Sequence, residues 1–114
     1  MHILVVGAGA MGCLFSSYLK KAGHEVSLLE ILPERVDRIN RQGIRIEGVS
    51  GRHRVKVPAF ATPPSVEPDL AIVCVKAYDT LQAARNIQDV LRPDTRVLTL
   101  QNGLGNVEIL AEVL

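Results

Sequence analysis

Hydrophobic and polar positions follow two different periods along the chain, and together they predict strands interleaved with helices. Residues 2–6 form an apolar, β-branched run that is typical of a buried strand. Helical spacing follows in the apolar residues Met11, Leu14, Phe15, Tyr18, Leu19 and Ala22. Gly23 is placed to end this helix, and residues 25–30 predict a second strand. The opening of the chain therefore predicts a βαβ unit.

A second helix and a hairpin are predicted next. Pro33 suits the first turn of the helix, and Gly43 suits its end. Residues 44–57 alternate apolar and polar side chains around a turn at 48–51, which predicts two short antiparallel strands. One face of this hairpin carries Arg52, Arg54 and Lys56. We interpret these charges as solvated protection of a short edge strand rather than as a binding patch.

The second half of the chain continues the alternation. Four prolines within residues 58–68 predict a surface connection. The elements expected after it are a strand at 70–75, a helix at about 78–91, a strand at 96–100 and a helix at 104–114. The inner side of the first of these helices is expected to carry Leu81, Ala84, Ile87 and Leu91.

This order of elements predicts a single α/β domain over residues 1–114. Strands rich in Val and Leu call for a mostly parallel, doubly wound sheet of the Rossmann type, with helices on both faces. If the crossovers are right-handed, the strand at His2 lies centrally, and the strands that begin at Leu70 and Arg96 follow on one side.

Composition narrows the class of protein further. The 114 residues are 47% hydrophobic and 22% charged, with a formal net charge of +1, which is ordinary for a soluble globular protein and implies neither nucleic acid nor a membrane as partner. No signal peptide or membrane span is recognisable, so a cytoplasmic location is expected. Cys13 and Cys74 lack metal-type spacing and are expected to be free buried thiols, with no metal site.

The loop VGAGAMG between the first strand and the first helix is the main candidate for function. Gly7 allows a tight turn, Gly9 lets the backbone approach a pyrophosphate, and Gly12 lets helix and strand pack closely. The N-terminus of the helix offers free N–H groups to phosphates. We predict a dinucleotide site to which Ala8, Ala10 and Met11 also belong. The alternative is a glycine turn without a ligand.

An acidic residue at the end of the second strand bears on the choice of dinucleotide. Glu30 stands close to the spacing of about 20 residues at which a carboxylate accepts hydrogen bonds from the adenosine ribose. The same charge repels a 2′-phosphate, so NAD(H) is favoured over NADP(H). Two alternatives stay open: Glu30 as an exposed charge at a strand end, and Arg35 as a partner for a 2′-phosphate.

Two polar residues follow the ends of later strands. Lys76 in VKAYDT and Asn102 in LQNGLGNVE each come just after a strand, at the edge where open α/β sheets bind ligands. They are candidates to orient a carbonyl or a ribose, although a solvated lysine and an Asn-Gly turn explain them equally well when each is taken alone. His24, His53 and Asp79 are assigned to structure or solvent.

The segments VGAGAMG, KAGHEV, VKAYDT and QNGLGNVE, in this order and at these intervals, resemble the N-terminal domain of ketopantoate reductases (2-dehydropantoate 2-reductases). The resemblance spans nearly the whole chain. It implies hydride transfer from NAD(P)H to the ketone of a 2-oxo acid, ketopantoate to pantoate, on the route to pantothenate. It also implies that Gly7, Gly9 and Gly12 carry the pyrophosphate, and that Lys76 and Asn102 lie beside the nicotinamide and the substrate.

The chain departs from the family pattern in two respects. The family usually prefers NADPH and commonly has an arginine right after the second strand, where this chain has Leu29, Glu30 and Ile31. The family's proton-donating lysine and substrate-binding glutamate belong to a helical C-terminal domain that these residues do not include. Because Lys76 is the one convincing proton donor here, we expect the chain to bind cofactor but to turn over little or no substrate alone.

Other functions stay open beside this one. The chain could be a non-catalytic NAD(H)-binding or sensing module, the cofactor domain of another Rossmann dehydrogenase with a helical second domain, or a pure interaction domain. A cofactor domain without its second domain exposes surface that normally packs, so a homodimer is also expected.

Overall fold

Strands alternate with helices along the chain, as the sequence predicts. A computed structural model describes residues 1–48, 51–75 and 80–99. The elements are β1 His2–Val6, α1 Ala10–Lys21, β2 Glu25–Leu29, α2 Pro33–Gln42, β3 Ile44–Gly48, β4 Gly51–Val55, β5 Ala59–Phe60, β6 Leu70–Val73, α3 Thr80–Ile87 and β7 Arg96–Thr99. The predicted helix at 104–114 lies outside the described residues, and so do the middle residues of the predicted hairpin turn.

The main sheet has the order β5-β2-β1-β6-β7, and each of its pairings in the described part of the chain is parallel. Val6 at the end of β1 pairs with Leu29 on one side and with Val73 on the other. The prediction of a central first strand with β6 and β7 on one side is confirmed. All five strands point their carboxyl ends to one edge, where an open α/β sheet binds its ligands.

Apolar side chains cover both faces of the central strand. Ile3 and Val5 belong to one core cluster, which α1, α2 and the β3–β4 hairpin complete. Leu4 and Val6 belong to a second cluster, which α3 completes from the opposite face. A parallel strand buried on both faces needs a continuous apolar run, and this explains why β1 consists of four consecutive Ile, Leu and Val residues after His2.

The segment at 58–68 contains a strand that the sequence did not predict. Ala59–Phe60 forms β5, which pairs with the end of β2 and extends the sheet by one strand. The Asn40 side chain holds it in place, because Nδ2 donates to the Ala59 carbonyl and Oδ1 accepts the Ala59 N–H, both at 2.9 Å. A strand of two residues has no visible alternation, so only this tertiary contact reveals it. Pro64 and Pro68 are buried as well, so the expectation of a surface connection was only partly right.

Two helices present their apolar residues differently from the simple expectation. In α3, Ala83, Ala84 and Ile87 are buried, whereas Leu81, expected on the inner side, is 40% exposed. The two alanines pack in the core cluster against the sheet, whereas Leu81 lies on the outer side of α3. In α1 the buried residues are Gly12, Ser16 and Ser17, while much of the predicted apolar stripe is exposed, namely Met11, Leu14 and Tyr18.

The basic face of the hairpin has a structural role beyond solvation. Arg54 Nη1 donates to the Gln42 carbonyl at 3.2 Å, and Lys56 Nζ donates to the Arg41 carbonyl at 3.5 Å. Both carbonyls belong to the last turn of α2, where the helix dipole favours cations. These side chains therefore attach the hairpin to the end of α2.

A hydrogen-bonded aspartate at the amino end of the sheet makes the stability of the chain sensitive to acid. Asp69 Oδ2 accepts the His2 N–H at 2.8 Å, and Oδ1 accepts a bond from Arg92 Nη2 at 2.6 Å. The backbone bond from His2 and then the Arg92 bond hold the pKa of Asp69 below its usual range. Since the folded chain favours the ionised form, this stabilisation is present above about pH 4 and is lost as the pH falls through the lowered pKa.

We therefore expect Asp69→Asn to lower the midpoint of thermal unfolding at pH 7 and to flatten its dependence on pH between about pH 5 and pH 2. Circular dichroism at a series of pH values measures both effects. Asp89→Asn makes the same chemical change at an exposed position and serves as the control. Parallel pH profiles for Asp69→Asn and the unmodified chain would contradict this assignment.

Candidate functional site

The turn that follows β1 needs a glycine at its first position. Gly7 has φ +104°, a left-handed conformation that side chains rarely adopt, and its N–H donates to the Leu29 carbonyl at 2.8 Å. A Cβ at Gly7 would lie 3.0 Å from Val75 Cγ1 and 3.1 Å from the Cys74 carbonyl carbon. The residues just after β6 therefore pack against this turn, and no residue larger than glycine fits there.

The other two glycines of the loop differ sharply in their surroundings. A Cβ at Gly12 would collide with the Gly7 carbonyl oxygen, so Gly12 is what lets α1 pack against the turn. A Cβ at Gly9 would meet nothing within 4 Å, because Gly9 faces open space at the N-terminus of α1. Gly9 has ordinary extended backbone and no side-chain cap, so nothing in its own conformation requires glycine. Ala10 and Met11 follow in the first turn of α1, and both are exposed.

Glu30 is a buried carboxylate joined to this loop. It is 7% exposed, so the alternative of an exposed charge at a strand end is wrong. Oε1 accepts the Ala8 N–H at 3.0 Å, and Oε2 accepts the Leu32 N–H at 3.0 Å. Hydrogen bonds to a charged group are the stronger kind, about 1.5–3 kcal/mol each. Glu30 thus ties the glycine loop to the turn that follows β2.

Arg35 stands beside this carboxylate. Its Nη1 lies 3.6 Å from Glu30 Oε1, and its side chain is partly exposed. Glu30 and Arg35 form an ion pair, so their opposite charges offset one another. The described part of the chain therefore does not present Arg35 as an isolated cation.

A cavity of about 360 Å³ opens directly over the loop and Glu30. This volume falls within the range of small-molecule and cofactor sites. One wall comes from the turn after β2, and the opposite wall comes from the end of β6 and from α3. The lining residues are Val6, Gly7, Ala8, Gly9, Leu29, Glu30, Ile31, Leu32, Arg35, Cys74, Val75, Gln82, Ala83 and Asn86.

Two half-buried thiols flank the loop. Burial raises the pKa of Cys74 to about 11, and burial, with a smaller effect from the Glu30 charge, raises the pKa of Cys13. The Cys13 thiol donates to the Ala8 carbonyl at 3.3 Å. Both cysteines are free and stay protonated at neutral pH, so they pack and support the loop rather than act as nucleophiles.

The predicted residues fall into three groups. Gly7, Ala8, Gly9 and Glu30 meet at the cavity, whereas Ala10, Met11 and Gly12 lie in the first turn of α1 and do not line it. Lys76, Asn102 and Asp79 lie outside the described residues, so their roles stay predictions. The β6–β7 register bears on them, because Val73 pairs with Thr99.

Sequence reasoning missed the wall formed by α3. Gln82 and Asn86 are four residues apart on this helix, and Gln82 Nε2 donates to Asn86 Oδ1 at 2.9 Å. Their spacing is a usable signal for one helix face, but the expectation that Leu81 points inward hid it.

In the described part of the chain no helix is long and apolar enough to cross a membrane. The described residues also contain no cluster of three metal-binding side chains.

The parallel sheet, the glycine turn and the buried carboxylate define a Rossmann-type domain of the class that binds nucleotides at the carboxyl ends of its strands. Residues 3–114 match the family described as ketopantoate reductase PanE/ApbA. The chain belongs to this family, as the sequence motifs predicted.

Relatives with assigned names agree with this membership. The chain is 42% identical over 114 residues to 2-dehydropantoate 2-reductase of Halobacterium salinarum, covering 98% of this chain and 37% of that protein. It is 37% identical over 113 residues to 2-dehydropantoate 2-reductase of Pyrococcus horikoshii, covering 99% of this chain and 36% of that protein. The chain thus spans little more than a third of the length of these curated relatives.

Solved structures share the same fold over the whole chain. A PanE/ApbA family ketopantoate reductase from Ralstonia eutropha is similar with a TM-score of 0.91 and 40% identity, covering 100% of this chain and 38% of its own. D-mandelate dehydrogenase, solved with NADH and anilino(oxo)acetate, is similar with a TM-score of 0.93 and 31% identity, covering 100% of this chain and 37% of its own. These relatives extend the fold with a further part that the 114 residues do not include.

Proposed function

We propose that this chain is the cofactor-binding domain of a 2-dehydropantoate 2-reductase-like oxidoreductase. When bound, a reduced nicotinamide supplies the hydride that converts the ketone of a 2-oxo acid to an alcohol, with ketopantoate to pantoate in pantothenate biosynthesis as the proposed reaction. The observation that carries the proposal is the buried Glu30 carboxylate, bonded to the glycine loop at the floor of an open cavity. Family membership supports it.

The glycine loop is proposed to hold the pyrophosphate. Open space over Gly9 lets phosphate oxygens approach the backbone, and the N-terminus of α1 offers its N–H groups and the positive end of its dipole. Ala8, Ala10 and Met11 contribute backbone to the same loop. Gly7 and Gly12 act indirectly, since they set the shape of the turn.

Glu30 is proposed to accept hydrogen bonds from the adenosine ribose diol and so to favour NADH over NADPH. Its carboxylate lines the cavity while it bonds the Ala8 and Leu32 N–H groups, so its position is fixed before a nucleotide binds. A 2′-phosphate at this place would meet a buried negative charge that Arg35 only partly offsets. The structure of D-mandelate dehydrogenase, a structural relative, contains NADH, and this supports NADH as the proposed cofactor.

Lys76 and Asn102 are proposed to position the nicotinamide and the substrate carbonyl. Each comes three residues along the sequence after one member of the Val73–Thr99 pair, and Val73 and Thr99 lie side by side in neighbouring parallel strands. A lysine ammonium and a side-chain amide both donate hydrogen bonds to a carbonyl oxygen. The parallel register therefore supports their joint role.

A titration of the purified chain with NADH and with NADPH, followed by calorimetry or by nicotinamide fluorescence, tests the proposal. We expect binding of NADH at lower concentration than NADPH. Absence of binding by either nucleotide would overturn it and would favour a pure interaction domain. Tighter binding of NADPH would leave the cofactor domain in place and overturn the role given to Glu30.

The chain alone is expected to reduce ketopantoate with little or no turnover. General acid catalysis needs a donor within hydrogen-bond reach of the ketone oxygen, and the resemblance assigns the proton-donating lysine to a C-terminal domain. The loss of reduced-nicotinamide absorbance as NADH is oxidised measures turnover. Steady turnover by the isolated chain would contradict the expectation, and restoration by a helical C-terminal domain would distinguish an enzyme domain from a sensing module.

A second candidate is the reduction of another 2-oxo acid. The observation in its favour is the likeness to D-mandelate dehydrogenase, whose 2-hydroxy acid carries an aromatic group. Comparing ketopantoate with phenylglyoxylate as substrates of a chain joined to a C-terminal domain separates the two candidates. Faster reduction of phenylglyoxylate would favour the second one.

The exposed face of α1 supports a further part of the proposal, a homodimer of the isolated chain in the cytoplasm. Met11 and Tyr18 are 50% and 52% exposed, and Leu14 lies between them on the same side of the helix. Apolar side chains grouped in this way commonly mark an interaction site. Light scattering over a range of concentrations tests the homodimer, and a constant monomer mass would contradict it.

A further inference from the structure

The wall of the cavity formed by α3 carries two side-chain amides. Gln82 and Asn86 both line the cavity, and Ala83 between them is small and buried. Gln82 is exposed and Asn86 is half-buried, so both can reach a ligand in the cavity. Among the described residues that line the cavity, these two are the ones with amide side chains.

The two amides are already bonded to one another, and this limits what they can offer to a ligand. Gln82 Nε2 donates to Asn86 Oδ1 at 2.9 Å. An amide has one carbonyl acceptor and one NH₂ donor group. The Gln82 Oε1 carbonyl and the Asn86 Nδ2 group therefore make no bond within the pair, while Gln82 Nε2 keeps one further N–H and Asn86 Oδ1 keeps one further lone pair. Rotating both amides by 180° exchanges the two roles, but one carbonyl and one NH₂ group still make no bond within the pair.

The position of the base follows from the proposed function, on which this inference rests. If the phosphates bind at the glycine loop and the ribose at Glu30, the space left for the base attached to that ribose is the part of the cavity lined by Ile31, Leu32 and α3. Ile31 and Leu32 line the wall beside Glu30 and are 58% and 40% exposed, which suits contact with the flat face of a purine. The edge of the base then points to the opposite wall, where the amides stand.

We propose that Gln82 and Asn86 make the site selective for adenine through its 6-amino group and N7. This edge of adenine presents one donor and one acceptor side by side, and side-chain amides are well suited to it. The same edge of a 6-oxopurine, such as hypoxanthine or guanine, presents two acceptors. The unbonded carbonyl and NH₂ group of the pair match the first pattern, whereas the second pattern places the 6-oxo group of the base against the unbonded carbonyl. Gln82 and Asn86 are thus specificity-determining residues of the adenosine end.

The test compares NADH with reduced nicotinamide hypoxanthine dinucleotide, which differs only at position 6 of the base. We expect the unmodified chain to bind NADH about 10-fold more tightly, a modest ratio because Gln82 is exposed to water. Gln82→Met and Asn86→Leu keep the size of each side chain and remove its hydrogen bonds. In each variant the ratio of the two dissociation constants is expected to be close to one, mainly because the binding of NADH becomes weaker.

Gln88→Met is the matched control, because Gln88 is an exposed amide just beyond α3 and outside the cavity lining. It is expected to keep the ratio of the unmodified chain. Gln82→Met alters an exposed residue and leaves the core unchanged, so it tests the proposal even if Asn86→Leu unfolds the chain. Equal binding of the two dinucleotides, or an unchanged ratio in Gln82→Met, overturns this inference and leaves the proposed function standing. Binding of neither dinucleotide overturns both.

Discussion

Gly12→Ala is expected to destabilise the whole domain and to abolish dinucleotide binding. The added methyl group would collide with the carbonyl oxygen of Gly7, which belongs to the backbone and cannot rotate away as a side chain can. Overpacking a close contact typically costs about 1–3 kcal/mol, and a backbone clash belongs at the upper end. For a domain with a total stability of about 5–15 kcal/mol, this loss is large. Urea unfolding followed by circular dichroism measures it.

Gly9→Ala provides the matched control, since it makes the same chemical change three residues away. Its Cβ would meet no protein atom within 4 Å, and its backbone has φ −72°, so the free energy of unfolding is expected to stay the same. The methyl group would instead project into the space proposed for the pyrophosphate, and NADH affinity is expected to fall about 10-fold or more. If both variants unfolded at the same urea concentration as the unmodified chain, the packing role of Gly12 would be wrong.

The second large effect is expected for Glu30→Gln. The substitution keeps the shape of the side chain but removes the charge and places an NH₂ group against the Ala8 or the Leu32 N–H. Because a hydrogen bond to a charged group contributes about 1.5–3 kcal/mol, NADH affinity is expected to fall about 10- to 100-fold. NADPH binding is expected to improve relative to NADH, because Arg35 loses its partner and the negative charge is gone.

Glu34→Gln is the control for this substitution. Glu34 lies in the first turn of α2, is exposed, and does not line the cavity. Titrating each variant with both nucleotides gives the ratio of the two affinities, which is the quantity of interest. A ratio in Glu30→Gln equal to that of the unmodified chain and of Glu34→Gln would remove Glu30 from the choice of cofactor.

Much of the fold could be predicted because the strongest signals are local. The apolar run of β1, the glycines that follow it and the helical spacing of α1 lie within 20 residues of one another, and the sheet order follows from right-handed crossovers. The two residues of β5 could not be predicted, because the Asn40 side chain from another element holds them. The inner face of α3 was predicted wrongly at Leu81, since close packing favours alanine at positions where a larger side chain looks more hydrophobic.

The sequence predicted which residues belong to the candidate site better than it predicted the contacts among them. The spacing of Glu30 from the glycines indicated a carboxylate near a ribose, but its bond to Ala8 depends on how two loops meet in space. The pairing of Gln82 with Asn86 over the cavity likewise depends on the rotation of α3, which the apolar pattern misjudged. Local pattern carries residue type and spacing, whereas the Ala8–Glu30 bond and the placement of α3 over the cavity depend on segments that are distant in sequence.

If Glu30 selects NADH, as proposed, its double attachment has a consequence for how this chain could change cofactor during evolution. A single substitution that makes room for a 2′-phosphate also removes the acceptor of the Ala8 N–H and loosens the glycine loop. The first step toward NADPH thus lowers stability before any benefit can be selected. A lineage that crosses this barrier needs a prior stabilising change elsewhere, so cofactor preference is inherited together with the support of the loop.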